Sequence, residues 1–377
     1  MRSVGVEEEL LLVDPGSGDP LAVSGVVLAA ARRSAWLQPG VRGGEHQEFE
    51  KELQKEQLEF ATKPVTEMGE LQDEIRRCRS EAARYAKAGG AVVVALATSP
   101  LPVRPSLNVG RRYEWLAEQF GLTAQEQLTC GCHVHVSVES DEEGVAVLDR
   151  IRPWLSVLTA MSANSPFWQG EDSGYGSYRS RVWNRWPSAG PSDVFGSADR
   201  YHEQVAAMIG TGVLRDEGMI YFDARLSATY PTVELRVADV CLDASTPVLL
   251  AALTRGLVET AARAWRAGEP PARISTSLLR LASWRAGRSG LDGPLLHPET
   301  MRETVAPHAI EALYRHVRDA LLDHGDDDLV RQGIAHLQDH GNGARVQRQL
   351  LRTEGSLARV VNQCAQLTSP DGTRAGR

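Results

Sequence analysis

The sequence predicts an α+β fold built on an antiparallel sheet, and three observations carry that expectation. Strand-like segments recur along the chain up to Asp243, helical periodicity fills the remainder of the chain, and βαβ alternations of the kind that make a parallel sheet are few. Four of the strand-like segments also set carboxylates or histidines on one face: GVEEE, EQLEFAT, CGCHVHV and PTVELR. Acid and imidazole crowded onto one sheet face need a compensating charge, and a bound divalent cation supplies it most simply.

In chain order, VGVEEELLLVD reads as a strand, PGSGDP as a turn, VVLAAARR as a short helix and LEFATKPV as the next strand. From Glu67 to Ala88 apolar residues recur at helical spacing through Leu71, Ile75, Cys78, Ala82 and Tyr85, and Gly89 with Gly90 ends the run. AVVVALAT comes next as a buried strand, then RRYEWLAEQF as a polar helix and LTCGCHVHVSV as a strand. A long helix is expected from about Glu142 to Ala163, with Pro153 as a kink or junction. Between Asn164 and Asp199 periodicity is lost in a Gly-, Ser-, Trp- and Arg-rich stretch; loops of that length in compact domains tend to be functional or disordered, and Trp168, Trp183 and Trp186 argue against disorder. A helix near Tyr201 to Ile209 and the strands MIYFDARLS and TVELRVADV complete this part. The chain is therefore read as one domain over residues 1–377: a sheet-forming part to residue 242, a mainly helical part over 243–367 and a polar, disordered tail over 368–377.

Composition limits the function classes. The 377 residues, 42% hydrophobic and 24% charged, suffice for a large core. A net charge of -8 argues against nucleic-acid and anionic-membrane surfaces, and no stretch of about 18 apolar residues is present. With no charged leader and apolar run after Met1, a cytoplasmic location is expected. Five cysteines, an odd number, do not suggest a disulfide framework.

Period-two alternation places Glu7 and Glu9 on one face of the first strand and Glu8 on the other. In LTCGCHVHVSV it places His133 and His135 on the polar face, and Cys130 and Cys132 in the apolar layer behind. Ligands on opposite faces cannot converge on one tetrahedral ion, which weakens a zinc reading of CGCHVH unless a bulge at Gly131 intervenes. Glu234 and Arg236 share a face, as do Tyr221, Asp223 and Arg225. Arginines beside carboxylates suit an anion bridged by a metal, or else a plain cross-strand salt-bridge ladder. Glu52, Glu56 and Glu59 fit a solvated helix face as well as a site. No phosphate-cradling GxxxxGK[ST] loop, dinucleotide fingerprint, HExxH or GxSxG is present, so a bound nucleotide would be held by metals and arginines.

GVEEELLLVD, LQKEQLEFAT, CGCHVHVSV, SANSPFWQGEDSGYGSYRSRVWNRWP and PTVELRVADVC, in that order, resemble the carboxylate-amine ligase family, also called glutamate-cysteine ligase type 2. The resemblance implies a glutamine-synthetase-like catalytic fold, a curved antiparallel sheet with helices on its convex side and Mg²⁺ or Mn²⁺ on its concave face. It implies Glu7, Glu9, Glu52, Glu59, His133 and Glu234 as the metal and nucleotide-phosphate set, with Glu59 and Glu234 also catalytic. Arg236 would face the transferred phosphoryl group. Arg179 and Tyr178 would come from a tryptophan-rich loop that walls the site and is a candidate lid, while Arg225 and Asp223 are placed by strand geometry alone. The implied chemistry is ATP-dependent amide formation through an acyl phosphate, from glutamate and cysteine or another amine; a homo-oligomer is compatible with the resemblance, and no motif of this chain points to one. Two other readings stand beside it: a metal-dependent hydrolase using His133 and His135, and a non-catalytic nucleotide or amino-acid sensor.

Overall fold

The structure is a computed structural model that describes residues 1–37 and 49–369. The glycine cluster VRGGEH and the residues from 370 onward lie outside the described residues. The elements run β1 (Val4–Val13), α1 (Ser24–Leu37), β2 (Phe49–Glu50), β3 (Gln57–Ala61), α2 (Met68–Ala86), β4 (Val92–Val94), α3 (Arg111–Phe120), α4 (Leu122–Gln125) and β5 (Gly131–Ser137). They continue with α5 (Asp141–Ile151), α6 (Leu155–Ser162), β6 (Phe167–Trp168), β7 (Glu171–Asp172), α7 (Arg179–Trp183), α8 (Ala198–Gly210), β8 (Ala224–Leu226) and β9 (Thr232–Asp239). Last come α9 (Thr246–Arg266), α10 (Thr276–Ser289), β10 (Pro294–Leu296), β11 (Glu303–Val305), α11 (Ala306–His324), α12 (Asp327–His340), α13 (Gly343–Glu354) and α14 (Leu357–Thr368).

Seven strands form the principal sheet in the order β2-β3-β1-β5-β9-β8, with β4 alongside the end of β1. Every pairing in it is antiparallel. Its register decides what meets on the polar face. Glu7 lies opposite His133, Glu9 opposite Glu59, Glu50 opposite Glu59, and both His135 and Arg225 opposite Glu234. Between Cys132 and Val134 on β5, β9 runs from Ala238 to Leu235, so β9 carries one extra residue there.

The other face is apolar. Val4, Val6, Cys132, Val134, Val136, Val233 and Leu235 pack into one cluster with Leu250, Leu253 and Leu257 of α9 and Leu313 and Val317 of α11. A second cluster joins Leu10, Leu12, Leu58, Phe60 and Val94 to Val360, Val361 and Cys364 of α14. The late helices thus close cores that the early strands begin. Each fully buried Leu or Val contributes on the order of 1.5–3 kcal/mol, so the face opposite the carboxylates anchors the strand register. Glu8 is the polar exception on this face. Its carboxylate takes two hydrogen bonds from Arg79 of α2, at 2.8 and 2.7 Å, and Arg79 also donates to the carbonyls of Cys241 and Leu242.

Pro153 does mark a junction, a 3₁₀ turn over Arg152–Trp154 joining α5 to α6. Other expectations need correction. Within AVVVALAT only Val92–Val94 is a strand, and within MIYFDARLS only Ala224–Leu226, because the neighbouring residues leave the ladder. The part after Asp243 is not all helix, since β10 and β11 pair as a ribbon. The tail does not begin at residue 368: Thr368 closes α14 in a buried position, and its hydroxyl accepts the Ala95 N–H at 2.9 Å.

Candidate active site

The polar face of the sheet assembles the acidic residues. Glu7 Oε2 lies 3.2 Å from His133 Nδ1, Glu7 Oε1 lies 3.2 Å from His135 Nε2, and His133 Nδ1 lies 3.9 Å from Glu234 Oε1. Glu9 Oε2 accepts the Gly131 N–H at 2.8 Å. Two groups can each hold a metal ion, Glu7 with His133 and Glu234, and Glu9 with Glu59 and His133; within each, the ligand atoms lie within 4.8 Å of one another. His133 is common to both. A cavity of about 310 Å³ opens over them, lined also by Glu50, Glu52, Arg112, Tyr113, Gln127, Trp183, Trp186, Tyr221, Arg225 and Arg236.

Electrostatics show an arrangement that lacks charge compensation at one end. Burial and the neighbouring charge of Glu52 push the Glu9 carboxyl up to about 8, and the same two causes hold Glu59 well above its usual range. Burial would raise Glu7 and Glu234 as well, but His133 and His135 outweigh it at Glu7 and Arg236 and Arg225 at Glu234, so both are held low. His133 is lowered to about 4 by burial and by Arg236, so it is a neutral imidazole near pH 7, and its Nε2 is buried with no hydrogen-bond partner. A neutral imidazole among carboxylate oxygens is a fitting donor set for Mg²⁺ or Mn²⁺. Cys130 and Cys132 are not part of it: both are buried, and burial drives their thiols well above the usual range.

Guanidinium groups line the Glu234 end. Arg225 Nε donates to Glu234 Oε2 at 2.8 Å, and Arg236 donates to Glu234 Oε1. Arg236 lies 5.7 Å from the centre of the Trp183 ring and 6.0 Å from that of Tyr221, and Arg179 also lies 5.7 Å from Trp183. Arg179 is 2% exposed and donates to the Arg236 carbonyl at 3.3 Å. Gly131 makes room for it: a Cβ there would stand 2.5 Å from Arg179 Nη2 and 3.1 Å from His133 Nε2.

The structure therefore brings together Glu7, Glu9, Glu59, His133, Glu234, Arg225 and Arg236, with Arg179 beside them. Glu52 sits on the β2–β3 connection and lines the cavity without belonging to either three-residue group. Tyr178 is elsewhere, its ring 5.6 Å from those of both Trp168 and Tyr175, outside the cavity lining. Asp223 acts through its backbone, accepting the Arg236 N–H at 2.9 Å, while burial lifts its carboxyl to about 7. His135 joins neither metal group, since its Nδ1 lies 3.0 Å from Thr232 Oγ1 and its Nε2 faces Glu7; a paired-histidine hydrolase centre is not assembled among the described residues.

Sequence reasoning missed Asp239. Strict alternation from Glu234 and Arg236 would bring Ala238 to the polar face, but the extra residue in β9 pairs Asp239 with Gly131 instead. Buried Asp239 accepts from the Asn164 N–H and the Ser165 and Ser177 hydroxyls at 2.7–2.8 Å, pinning the tryptophan-rich loop. With Ser177, Arg179 and Trp186 all buried, this part of the loop packs as a wall of the site. Glu50 was also missed, although the acidic run before EQLEFAT carries its signal.

Hard oxygen donors grouped around a shared imidazole, with guanidiniums nearby on β8 and β9, suit a metal-bound phosphate ligand, as an ATP-dependent ligase requires. The chain belongs to the glutamate-cysteine ligase family 2, whose family model matches residues 3–363. A Streptomyces avermitilis protein bearing a glutamate-cysteine ligase 2-1 designation is 62% identical over 368 residues, covering 98% of this chain and 99% of its own. One from Paenarthrobacter aurescens with the same designation is 48% identical over 375 residues, covering 100% and 97%. Among solved structures, the fold is similar to a glutamate-cysteine ligase from Francisella tularensis in complex with AMP, with TM-score 0.70 and 13% identity over 98% of this chain and 89% of that one. A bifunctional glutathione synthetase from Pasteurella multocida also matches at TM-score 0.70 and 16% identity over 98% of this chain, which spans 52% of that protein.

Proposed function

We propose that the protein uses ATP to join a carboxylate of glutamate to an amine, cysteine or another, through an acyl phosphate, releasing ADP and phosphate. The observation that carries this reading is the pair of carboxylate groups sharing His133, next to an arginine locked on Glu234. Glu7 with Glu234, and Glu9 with Glu59, would each hold one Mg²⁺ or Mn²⁺, with Glu52 close by; His133, a neutral imidazole with one free lone pair, would ligate one of the two. When bound, such ions neutralise phosphate oxygens and help align the acid.

The chain's own residues do the rest. Carboxylate oxygen attacks the γ-phosphorus and ADP leaves; amine nitrogen then attacks the acyl carbon, the C–O bond to phosphate breaks, and the amine loses its proton. Arg236, fixed between Glu234 and the Trp183 and Tyr221 rings, offers a preorganised positive charge to the moving phosphoryl group. Arg225 holds Glu234 from the other side, and Trp183 and Trp186 shield the acyl phosphate from water. Purified protein with Mg²⁺ and ATP tests the reading, with glutamate and cysteine supplied separately and together and glutamate also paired with a panel of amines. ADP that appears only when acid and amine are both present supports it. No ADP with any acid overturns it.

A further inference from the structure

Not every wall of the cavity is tightly packed. Helix α3 contributes Arg112, Tyr113 and Leu116 to it, yet Leu116 is the only buried residue among its ten. Gly110 at φ +149° and Gly121 at φ +53° bracket the helix, conformations that residues with a side chain rarely adopt. Across the cavity mouth, Arg112 Nη1 pairs with Asp216 Oδ2, and Arg215 Nη1 donates to the Arg111 carbonyl at 3.2 Å. The Arg112–Asp216 pair is one-sided: Asp216 Oδ1 has no partner, and the two side chains are 39% and 43% exposed. A contact of that kind holds weakly.

Among the described residues, four cationic side chains line the cavity. Arg225 and Arg236 are committed to Glu234, and Lys51 lies exposed on the β2–β3 connection. Of the four, Arg112 combines a planar two-pronged donor with a weak partner and a hinged support. An amino-acid substrate brings a second carboxylate that takes no part in the reaction, and the acidic end of this cavity offers it little else.

We propose that α3 is the moving wall of this site, and that Arg112 leaves Asp216 to bind the non-reacting carboxylate of the amino-acid donor as the helix closes. The proposal rests on the ligase reading, with Arg112 as a specificity-determining residue of that reaction. Glycine hinges absorb the movement, and Phe120, 4.9 Å from Trp186, serves as the pivot contact.

The test compares Arg112→Gln with Asp216→Asn, using the acid that supports ADP release in the wild type. Arg112→Gln should raise the KM for that acid tenfold or more with the KM for ATP changed less than twofold. Asp216→Asn should leave the acid KM unchanged or lower it, because it removes the competing partner. A merely structural salt bridge predicts the same change in both variants, and that result, or an unaltered acid KM in Arg112→Gln, overturns the proposal. A second readout needs no variant: tryptic cleavage after Arg111 and Arg112 of the wild type should slow when donor, Mg²⁺ and ATP are present together, and equal cleavage with and without donor contradicts closure. Absence of ADP release from the wild type with every acid is a separate result, one that removes the ligase reading and this proposal with it.

Discussion

Replacing Gly131 by alanine tests whether the space beneath the metal-binding groups is filled as described. The new methyl would stand 2.5 Å from Arg179 Nη2, against ordinary contact at 3.4 Å or more, so the guanidinium must retreat by about 0.9 Å (3.4 − 2.5). Arg179 cannot do this freely, because it is 2% exposed, hydrogen-bonded to the Arg236 carbonyl and set against Trp183. Overpacking of this kind costs about 1–3 kcal/mol. The methyl also crowds His133 Nε2 at 3.1 Å, and a 1 Å misplacement in a catalytic constellation can reduce turnover about a hundredfold. Urea denaturation should therefore show an earlier midpoint, and ADP formation should fall by about two orders of magnitude. An alanine variant with unchanged midpoint and turnover would refute the packing of Arg179 and His133 around Gly131.

Strand β1 and its neighbours yield two further expected outcomes. Glu7→Gln should remove one of the two Mn²⁺-binding events with a small change in denaturation midpoint, whereas Glu8→Gln, which strands buried Arg79, should cost about 3–5 kcal/mol of stability; calorimetric Mn²⁺ titration and urea unfolding separate the two. For the metal-free protein, the folded state holds a proton on Glu9 up to about pH 8 that the unfolded chain has released, so stability should fall as pH rises from 6.5 to 8, by on the order of 2 kcal/mol for this group. His133, lowered to about 4, acts with the opposite sign but only below its ordinary value of 6.5, which leaves that window clear. Saturating Mg²⁺ should flatten the slope and release protons on binding, and a metal-free stability that rises over the same range would contradict the raised Glu9.

Alternation made much of the site legible. Glu7 and Glu9 face one way and Glu8 the other, as period two requires, and the same rule separates His133 from Cys132. Glu234 and Arg236 follow it until the extra residue in β9, where register and not local pattern decides, and Asp239 replaces Ala238. Glu52, Glu56 and Glu59 fit a helix face as well as a site because ELQKEQLEFAT supports either period; pairing with β1 resolves Glu59 as a strand residue. The Trp/Arg loop announced its importance by composition but not its anchorage, since the hydroxyls that tie it to Asp239 carry no periodic signal. The reach of α3 over the cavity was hidden for a related reason: a polar helix with one buried residue looks like any surface helix.

The carboxylate is activated as an acyl phosphate, its own oxygen joined to the γ-phosphorus, and the amine attacks that intermediate. Glutamate labelled with ¹⁸O in its carboxylates, incubated with the protein, ATP, Mg²⁺ and the accepting amine, tests it through the mass of the released phosphate. The account predicts one ¹⁸O carried from the acid into phosphate for each amide formed. Amide formation with unlabelled phosphate would contradict it.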